Sequence, residues 1–141
     1  MPDKVYRTAI YCRLSREDGD KVESNSIASQ RAICEDYIAR HDDLELVCEP
    51  FVDDGYSGVS FNRPQFKKLE EAIRKGALDC IVVKDLSRFS RNYIDGGRYI
   101  EKIFPQLGIR FIAINDAYDS LTGDPQSHSF VIPFKNLIND S

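Results

Sequence analysis

Residues 78–84 read Leu78-Asp79-Cys80-Ile81-Val82-Val83-Lys84, and this stretch decides the fold. Its uninterrupted apolar run is typical of a strand that is buried on both faces of a parallel sheet. Helices are predicted on both sides of it. One begins near Pro64, which suits the first helical turn, and stops at Gly76, while the other spans 92–106. A buried strand between two helices indicates an α/β domain.

Further strands and one more helix are predicted outward from this centre. β-Branched and aromatic residues predict strands over 5–14, 44–52 and 109–114. A helix follows the first of these strands, with candidate caps in Ser24-Asn25-Ser26 and its end near Arg40. Because strands and helices alternate, we expect an α/β fold with a mainly parallel central sheet of about four to five strands, flanked by helices.

Apolar residues at helical spacing predict which helix faces are buried. The expected inward residues, helix by helix, are Ile27, Cys34 and Ile38; Phe66, Leu69 and Ile73; and Ile100, Ile103, Phe104 and Leu107. A last apolar stripe follows Pro133, a residue that suits the first position of a helix. We expect that helix to pack on the domain or on a partner subunit.

Composition and charge restrict the class of protein. The 141 residues are 42% hydrophobic and 30% charged, which fits a single ordered domain. No apolar run is long enough to span a membrane, and the N-terminus lacks the apolar region of a secretory signal. The formal net charge of −4 argues against a free-standing nucleic-acid-binding protein, although residues 63–91 alone carry +4.

The sequence lacks several common functional motifs. It contains no GxxxxGK[ST] phosphate loop, and no GxGxxG turn follows the first strand. The 4 cysteines form no CxxC pair and the 2 histidines stand apart, so we expect reduced, mostly buried thiols and no metal site. With no histidine near an obvious nucleophile, Ser-His-Asp catalysis is also unsupported.

Candidate catalytic residues close the first strand, which ends Tyr11-Cys12-Arg13-Leu14-Ser15. Because side chains alternate along a strand, Tyr11, Arg13 and Ser15 are predicted to share one face. Ligands bind at the carboxyl ends of the strands in open parallel sheets. Ser15 is therefore predicted to lie where a hydroxyl group is useful for chemistry.

Three further arginines are predicted at the same edge of the sheet. Arg88 and Arg91 follow the strand at 78–84, and Arg63 lies in the loop after the strand at 44–52. Guanidinium groups bind phosphate oxygens in a bidentate manner. A hydroxyl nucleophile beside several arginines indicates phosphoryl transfer through a covalent phosphoserine. The alternative is a set of surface arginines paired with the abundant acids.

Four motifs together resemble the catalytic domain of serine site-specific recombinases, in the resolvase and invertase superfamily. In chain order they are Tyr11-Cys12-Arg13-Leu14-Ser15, Ser26-Ile27-Ala28-Ser29-Gln30-Arg31, Asp54-Gly55-Tyr56-Ser57-Gly58 through Asn62-Arg63-Pro64, and Leu86-Ser87-Arg88-Phe89-Ser90-Arg91-Asn92. The ordered set looks most like the large serine recombinases of transposons and phages. It implies a resolvase-like catalytic fold that ends in the start of a C-terminal interface helix.

The resemblance implies site-specific DNA recombination. Ser15 would attack the scissile phosphate and leave a 5′-phosphoserine link and a free 3′-hydroxyl, with no ATP, metal or other cofactor. The phosphate would be bound by four arginines from the first, third and fourth motifs, namely Arg13, Arg63, Arg88 and Arg91. The supporting positions near the active site would be Gln30, Asp54, Ser57, Ser87 and Tyr11.

One position departs from the family pattern. Many members carry aspartate immediately before the first arginine of the last motif, where this chain has Ser87. Asp85 lies two residues earlier. The group that deprotonates Ser15 therefore stays open between Asp54, Asp85 and solvent.

The resemblance also implies partners and a setting. Residues 1–141 would be the single catalytic domain of a longer protein, which binds DNA mainly through other domains and forms homodimers and synaptic tetramers. Such a protein would be cytoplasmic and encoded by a bacterium, a phage or another mobile element, with no membrane partner. Two alternatives remain: an inactive recombinase-like assembly or regulatory domain, and a receiver-like or flavodoxin-like domain that uses Asp53 and Asp54.

Overall fold

The computed structural model describes residues 4–15 and 26–122, which build a six-stranded sheet. Its strands are β1 (Tyr6–Leu14), β2 (Leu44–Leu46), β3 (Phe51–Asp54), β4 (Cys80–Val83), β5 (Arg110–Ala113) and β6 (Tyr118–Asp119). The order is β2-β1-β4-β5-β6, and β3 also pairs with β1. Every pairing is parallel except that of β5 with β6. The α/β class and the mainly parallel sheet are confirmed, with six strands where about four to five were expected.

The single strand predicted over 44–52 is wrong, because the structure divides it into β2 and β3. Leu44 lies opposite Tyr6, whereas Phe51 lies opposite Tyr11. The offset between paired residues is therefore 38 in β2 and 40 in β3, so two extra residues bulge out between the strands. Pro50 precedes β3 and has no backbone N–H to donate to a ladder.

The helices flank this sheet and begin at residues that suit helix starts. The hydroxyl of Ser26 accepts a hydrogen bond from the backbone N of Ser29, and Pro64 occupies the first turn of its helix. The helices are α1 (Ile27–Ala39), α2 (Pro64–Arg74), α3 (Leu86–Phe89), α4 (Tyr93–Arg98) and α5 (Phe104–Gln106), with a π-helical turn over Tyr99–Ile103.

Two apolar layers hold the helices on the sheet. One layer lies under α2 and the α4–α5 stretch, and it contains Phe66, Phe89 and Phe104. The other layer lies under α1 and contains Cys34 and Ile38. The predicted inward residues of α1 and α2 are thereby confirmed, apart from Ile27, which is only partly buried against this second layer.

The last predicted helix buries its residues less regularly than its spacing suggests. Ile100 and Phe104 are buried and Ile103 is half-buried, but Leu107 is 38% exposed, so its predicted inward position is wrong. The π-helical turn Tyr99–Ile103 closes its hydrogen bonds one residue further along than an α-helix does. Phe104, which follows that turn, still faces the core, whereas Leu107 lies just past the end of α5 at Gln106, where the helical face no longer continues.

Cys12, Cys34 and Cys80 are buried, and Cys48 is half-buried, all as free thiols. Burial raises the pKa of Cys12 and of Cys80 to about 12, so both thiols stay protonated at neutral pH.

Within the described ranges, no helix combines the length and the apolar character needed to cross a membrane. The helix predicted after Pro133 lies outside the described residues.

Candidate active site

Ser15 follows the last residue of β1 and is 7% exposed. The carbonyl oxygen of Leu14 accepts hydrogen bonds from the backbone N–H groups of Gly55 and Tyr56, so the loop after β3 lies directly against it. Because β1 and β3 are parallel, their carboxyl ends meet at this edge. The structure thus brings the Ser15 segment and the Asp54–Gly58 motif together, as the sequence predicts.

The side chain of Gln30 anchors the end of β1. It is fully buried in α1, where its amide group both accepts a hydrogen bond from the backbone of Arg13 and donates one to it. Gln30 Oε1 accepts from Arg13 N at 3.2 Å, and Gln30 Nε2 donates to Arg13 O at 3.0 Å. This amide replaces a strand partner at the point where the sheet ends. It fixes the backbone two residues before Ser15.

The guanidinium group of Arg13 connects β1 to α3 and to the loop after β3. Its Nε donates to Arg88 O at 3.3 Å, its Nη1 to Tyr56 O at 3.0 Å and its Nη2 to Ser87 O at 2.5 Å. Arg88 returns the contact, since its Nη1 donates to Arg13 O at 3.0 Å. Both arginines are at most 1% exposed. The predicted convergence of Arg13 and Arg88 at one edge of the sheet is therefore observed.

The guanidinium group of Arg63 points into the loops. Its donors reach four oxygens at 2.6–3.3 Å, those of the backbone of Ser60, Gly58 and Phe89 and of the Tyr11 hydroxyl. Its central carbon also lies 4.6 Å from the centre of the Phe61 ring. Arg63 is 1% exposed. These contacts make Arg63 a link between the loop after β3, the end of α3 and the side chain of Tyr11 in β1.

Arg91 is the exposed member of the four arginines, and it packs beside Gly58. The backbone N of Arg91 donates to Gly58 O at 2.7 Å. A methyl group added to Gly58 would lie 2.9 Å from Arg91 Cγ and 2.8 Å from Arg13 Nη2. Gly58 is therefore the point at which the side chains of Arg13 and Arg91 come together.

Asp53 is a site residue that the predicted catalytic set omits. Its carboxylate is 1% exposed and accepts from Tyr11 Oη at 2.8 Å and from the backbone N of Gln65 and of Phe66, both at 2.9 Å. Asp53 thus caps α2 from β3. Burial raises the pKa of Tyr11, which keeps its hydroxyl protonated as a donor. No short motif shows this cap, because the two ends of the contact lie more than ten residues apart.

The other supporting positions differ in exposure. Asp54 and Ser57 are exposed, and the Ser57 hydroxyl accepts from the backbone N of Val59 at 3.1 Å within its own loop. Ser87 is half-buried, and its hydroxyl donates to Asp85 Oδ1. Asp85 therefore reaches the segment that carries Arg88, whereas the structure places Asp54 on the exposed side of its strand.

The field at this edge of the sheet suits an anion. Arg13, Arg63 and Arg88 bring three buried cationic groups to this edge of the sheet, and Arg91 adds an exposed one. A concentration of cationic groups raises the local concentration of anionic ligands. A phosphate group carries both the charge and the oxygen geometry that guanidinium groups recognise.

Comparison with known proteins shows the family of this chain. Residues 8–139 match the family described as "Resolvase, N terminal domain". The chain belongs to the resolvase family. This resolvase domain is also 31% identical over 110 residues to a Bacillus subtilis (strain 168) protein named "Putative DNA recombinase". That match covers 78% of this chain, and the chain spans only about a fifth (21%) of the length of that relative.

Two solved structures resemble the resolvase domain over nearly its whole length. The N-terminal catalytic domain of TP901-1 integrase matches with a TM-score of 0.72 and 26% identity, covering 95% of this chain and 94% of that one. A resolvase family site-specific recombinase from Streptococcus pneumoniae matches with a TM-score of 0.70 and 26% identity, covering 94% and 89%. The predicted resemblance to serine recombinase catalytic domains is confirmed.

Proposed function

We propose that this resolvase domain catalyses site-specific DNA recombination through a covalent bond between Ser15 and DNA. The observation that carries the proposal is the position of Ser15, which follows a strand end held by two buried arginines. Arg88 donates to the carbonyl oxygen of Arg13, and Arg13 donates to backbone oxygens of α3 and of the loop after β3. Ser15 Oγ attacks the phosphorus atom of the scissile phosphate. The bond from phosphorus to the 3′-oxygen breaks, so that a 5′-phosphoserine link and a free 3′-hydroxyl result.

Rejoining reverses these bond changes. A 3′-hydroxyl from the exchanged strand attacks the phosphoserine, and Ser15 leaves. The number of phosphodiester bonds is conserved, so the reaction needs no ATP. The Ser15 proton passes to a base or to solvent during cleavage and is returned during rejoining.

The arginines supply the stabilisation that this chemistry demands. Enzymes acting on phosphate esters provide up to roughly 20 kcal/mol of transition-state stabilisation or more. One preorganised donor contributes about 3–4 kcal/mol by deletion, so several donors and a fixed nucleophile are needed. We assign direct phosphate contact to Arg88 and Arg91. Arg13 and Arg63 support them indirectly in this proposal, because their donors are directed at backbone oxygens around the site.

We further propose that residues 1–141 act as the catalytic domain of a longer protein. The net charge of −4 supports this division of labour, since tight DNA binding requires many cationic contacts. In the proposal, other segments select the DNA site, and dimers pair into a tetramer to exchange strands. The protein would act on bacterial, phage or other mobile-element DNA in the cytoplasm.

The test uses the full-length gene and its native flanking DNA in a heterologous host. A PCR assay for the rejoined junction compares the wild type with Ser15→Ala and with Ser120→Ala. Ser120 is the control because it follows β6, where its hydroxyl accepts from the backbone N of Phe111 in β5. The proposal predicts a junction with the wild type and with Ser120→Ala and none with Ser15→Ala. A junction formed by Ser15→Ala would overturn it.

A further inference from the structure

Asp85 directs a carboxylate toward the edge of the sheet where Ser15 lies. It follows β4 and caps α3, since its Oδ1 accepts from the backbone N of Arg88 at 3.2 Å. The same oxygen accepts the hydroxyl hydrogen of Ser87. Lys84 Nζ lies 4.0 Å from the other carboxylate oxygen, Oδ2. The Asp85 side chain is 20% exposed, so the solvent screens these contacts only in part.

A continuous chain of contacts runs from this carboxylate to β1. Ser87 Oγ donates to Asp85 and accepts from Arg88 Nε at 3.3 Å. Arg88 Nε also lies 3.9 Å from Asp85 Oδ1, which is within ion-pair distance. At the other end of the guanidinium group, Arg88 Nη1 donates to Arg13 O. The backbone held in this way lies two residues before Ser15.

We infer that Asp85 is a positioning residue of the Ser15 site, which acts on the Arg88 guanidinium group through the hydroxyl of Ser87. This inference rests on the proposed function. A guanidinium group bonded at Nε on one side and at Nη1 on the other has its plane fixed. Asp85 supplies the charge on the Nε side, and it thereby sets the direction in which Arg88 meets a phosphate bound at Ser15.

Asp116 provides a matched control for the charge of Asp85. It also holds the start of α3, because its Oδ2 accepts from the backbone N of Leu86 at 2.7 Å. Burial, together with the charge of Asp85, raises the pKa of Asp116. Asp116 therefore shares the neighbourhood of Asp85, but its hydrogen bond ends at Leu86. Removing its charge tests whether any carboxylate near α3 has the same effect.

The experiment compares Asp85→Asn with Asp116→Asn in the full-length protein. Asparagine has the size of aspartate and caps helices equally well, so Asp85→Asn removes the charge and keeps the cap. The rate of covalent complex formation is measured in single turnover on a nicked DNA substrate at saturating protein, together with DNA affinity and melting temperature. Since a misplaced group costs about 10²-fold in rate, Asp85→Asn should be slower by about that factor with unchanged DNA affinity.

A rescue variant separates positioning from folding. Asp85→Asn combined with Ser87→Asp returns a carboxylate to the Nε side of Arg88. This double variant should form the covalent complex about tenfold faster than Asp85→Asn alone. Asp116→Asn should retain the wild-type rate. The inference is overturned if Asp85→Asn reacts at the wild-type rate, if Asp116→Asn is equally slow, or if the rescue variant recovers nothing.

The outcomes for this inference and for the proposed function are distinguishable. A wild-type protein that forms no covalent complex through Ser15 contradicts the proposed function, whatever Asp85→Asn does. A wild-type protein that forms the complex, with Asp85→Asn indistinguishable from it, contradicts the positioning role alone.

Discussion

Replacing Gly58 by alanine should displace the arginines that pack against it. The new Cβ would lie 2.8 Å from Arg13 Nη2, 3.0 Å from Arg13 Cζ and 2.9 Å from Arg91 Cγ. Optimal non-bonded contacts lie at roughly 3.5–4.0 Å, so these atoms must separate by roughly 0.5–1 Å. Gly58 does not have a positive φ, so the backbone itself accepts alanine and the effect comes from space alone.

Neither side of this contact yields easily. The Arg13 guanidinium group is held by the carbonyl oxygens of Tyr56 and Ser87. The Gly58 backbone is held as well, because its carbonyl oxygen accepts from Arg91 N at 2.7 Å and from Arg63 Nη2 at 3.2 Å. Overpacking of this kind costs about 1–3 kcal/mol of unfolding free energy. The displaced arginines should lower the cleavage rate by about 10²-fold.

The assay measures thermal unfolding and the single-turnover rate of covalent complex formation for Gly58→Ala and for Gly97→Ala. Gly97 is the control because no atom lies within 4 Å of a Cβ added there, inside α4. Alanine in a helix interior stabilises the folded protein by about 0.5–1 kcal/mol relative to glycine, so Gly97→Ala should have a slightly higher melting temperature than the wild type. Wild-type stability and rate in Gly58→Ala would refute the packing argument.

Two further predictions concern the anchor of β1 and the opposite edge of the sheet. Gln30→Ala removes the acceptor of the buried Arg13 N–H and one of the two donors to the Arg13 carbonyl oxygen, the other being Arg88 Nη1. Urea denaturation should therefore show a loss of about 1–3 kcal/mol in the free energy of unfolding, and an unchanged midpoint would contradict this. A hydrogen bond from Arg7 lowers the pKa of Asp79 to about 2, so the stability from this pair is present above about pH 4 and is lost as the pH falls toward 2. Asp79→Asn should therefore reduce the pH dependence of the free energy of unfolding between pH 4 and 2. The same pH dependence in Asp79→Asn and in the wild type would contradict the stabilising role of this pair.

The sequence predicts the regular elements well, because local signals determine them. Ser26 and Pro64 mark two helix starts, and the apolar run around Ile81 marks the buried strand. The errors occur where backbone geometry departs from a regular period. A bulge before Pro50 divides one predicted strand into two, and the helix that was predicted to bury Leu107 ends at Gln106.

The site is predictable in its location and less so in its contacts. Strand alternation and parallel topology are sufficient to place Arg13 and Ser15 at the carboxyl edge. The direction of the Arg63 guanidinium group depends in part on the carbonyl oxygen of Phe89 at the end of α3, a contact that no local pattern encodes. The cap that Asp53 provides to α2 is likewise a tertiary contact between separate elements.

The most direct test of the central proposal is to identify the residue that becomes linked to DNA. The full-length protein is incubated with a nicked substrate that traps the cleaved state, the complex is digested with protease and nuclease, and the modified peptide is sequenced by mass spectrometry. The proposal predicts a 5′-nucleotide joined through phosphate to Ser15 and no such adduct in Ser15→Ala. An adduct on another residue, or recombination by Ser15→Ala, would contradict it.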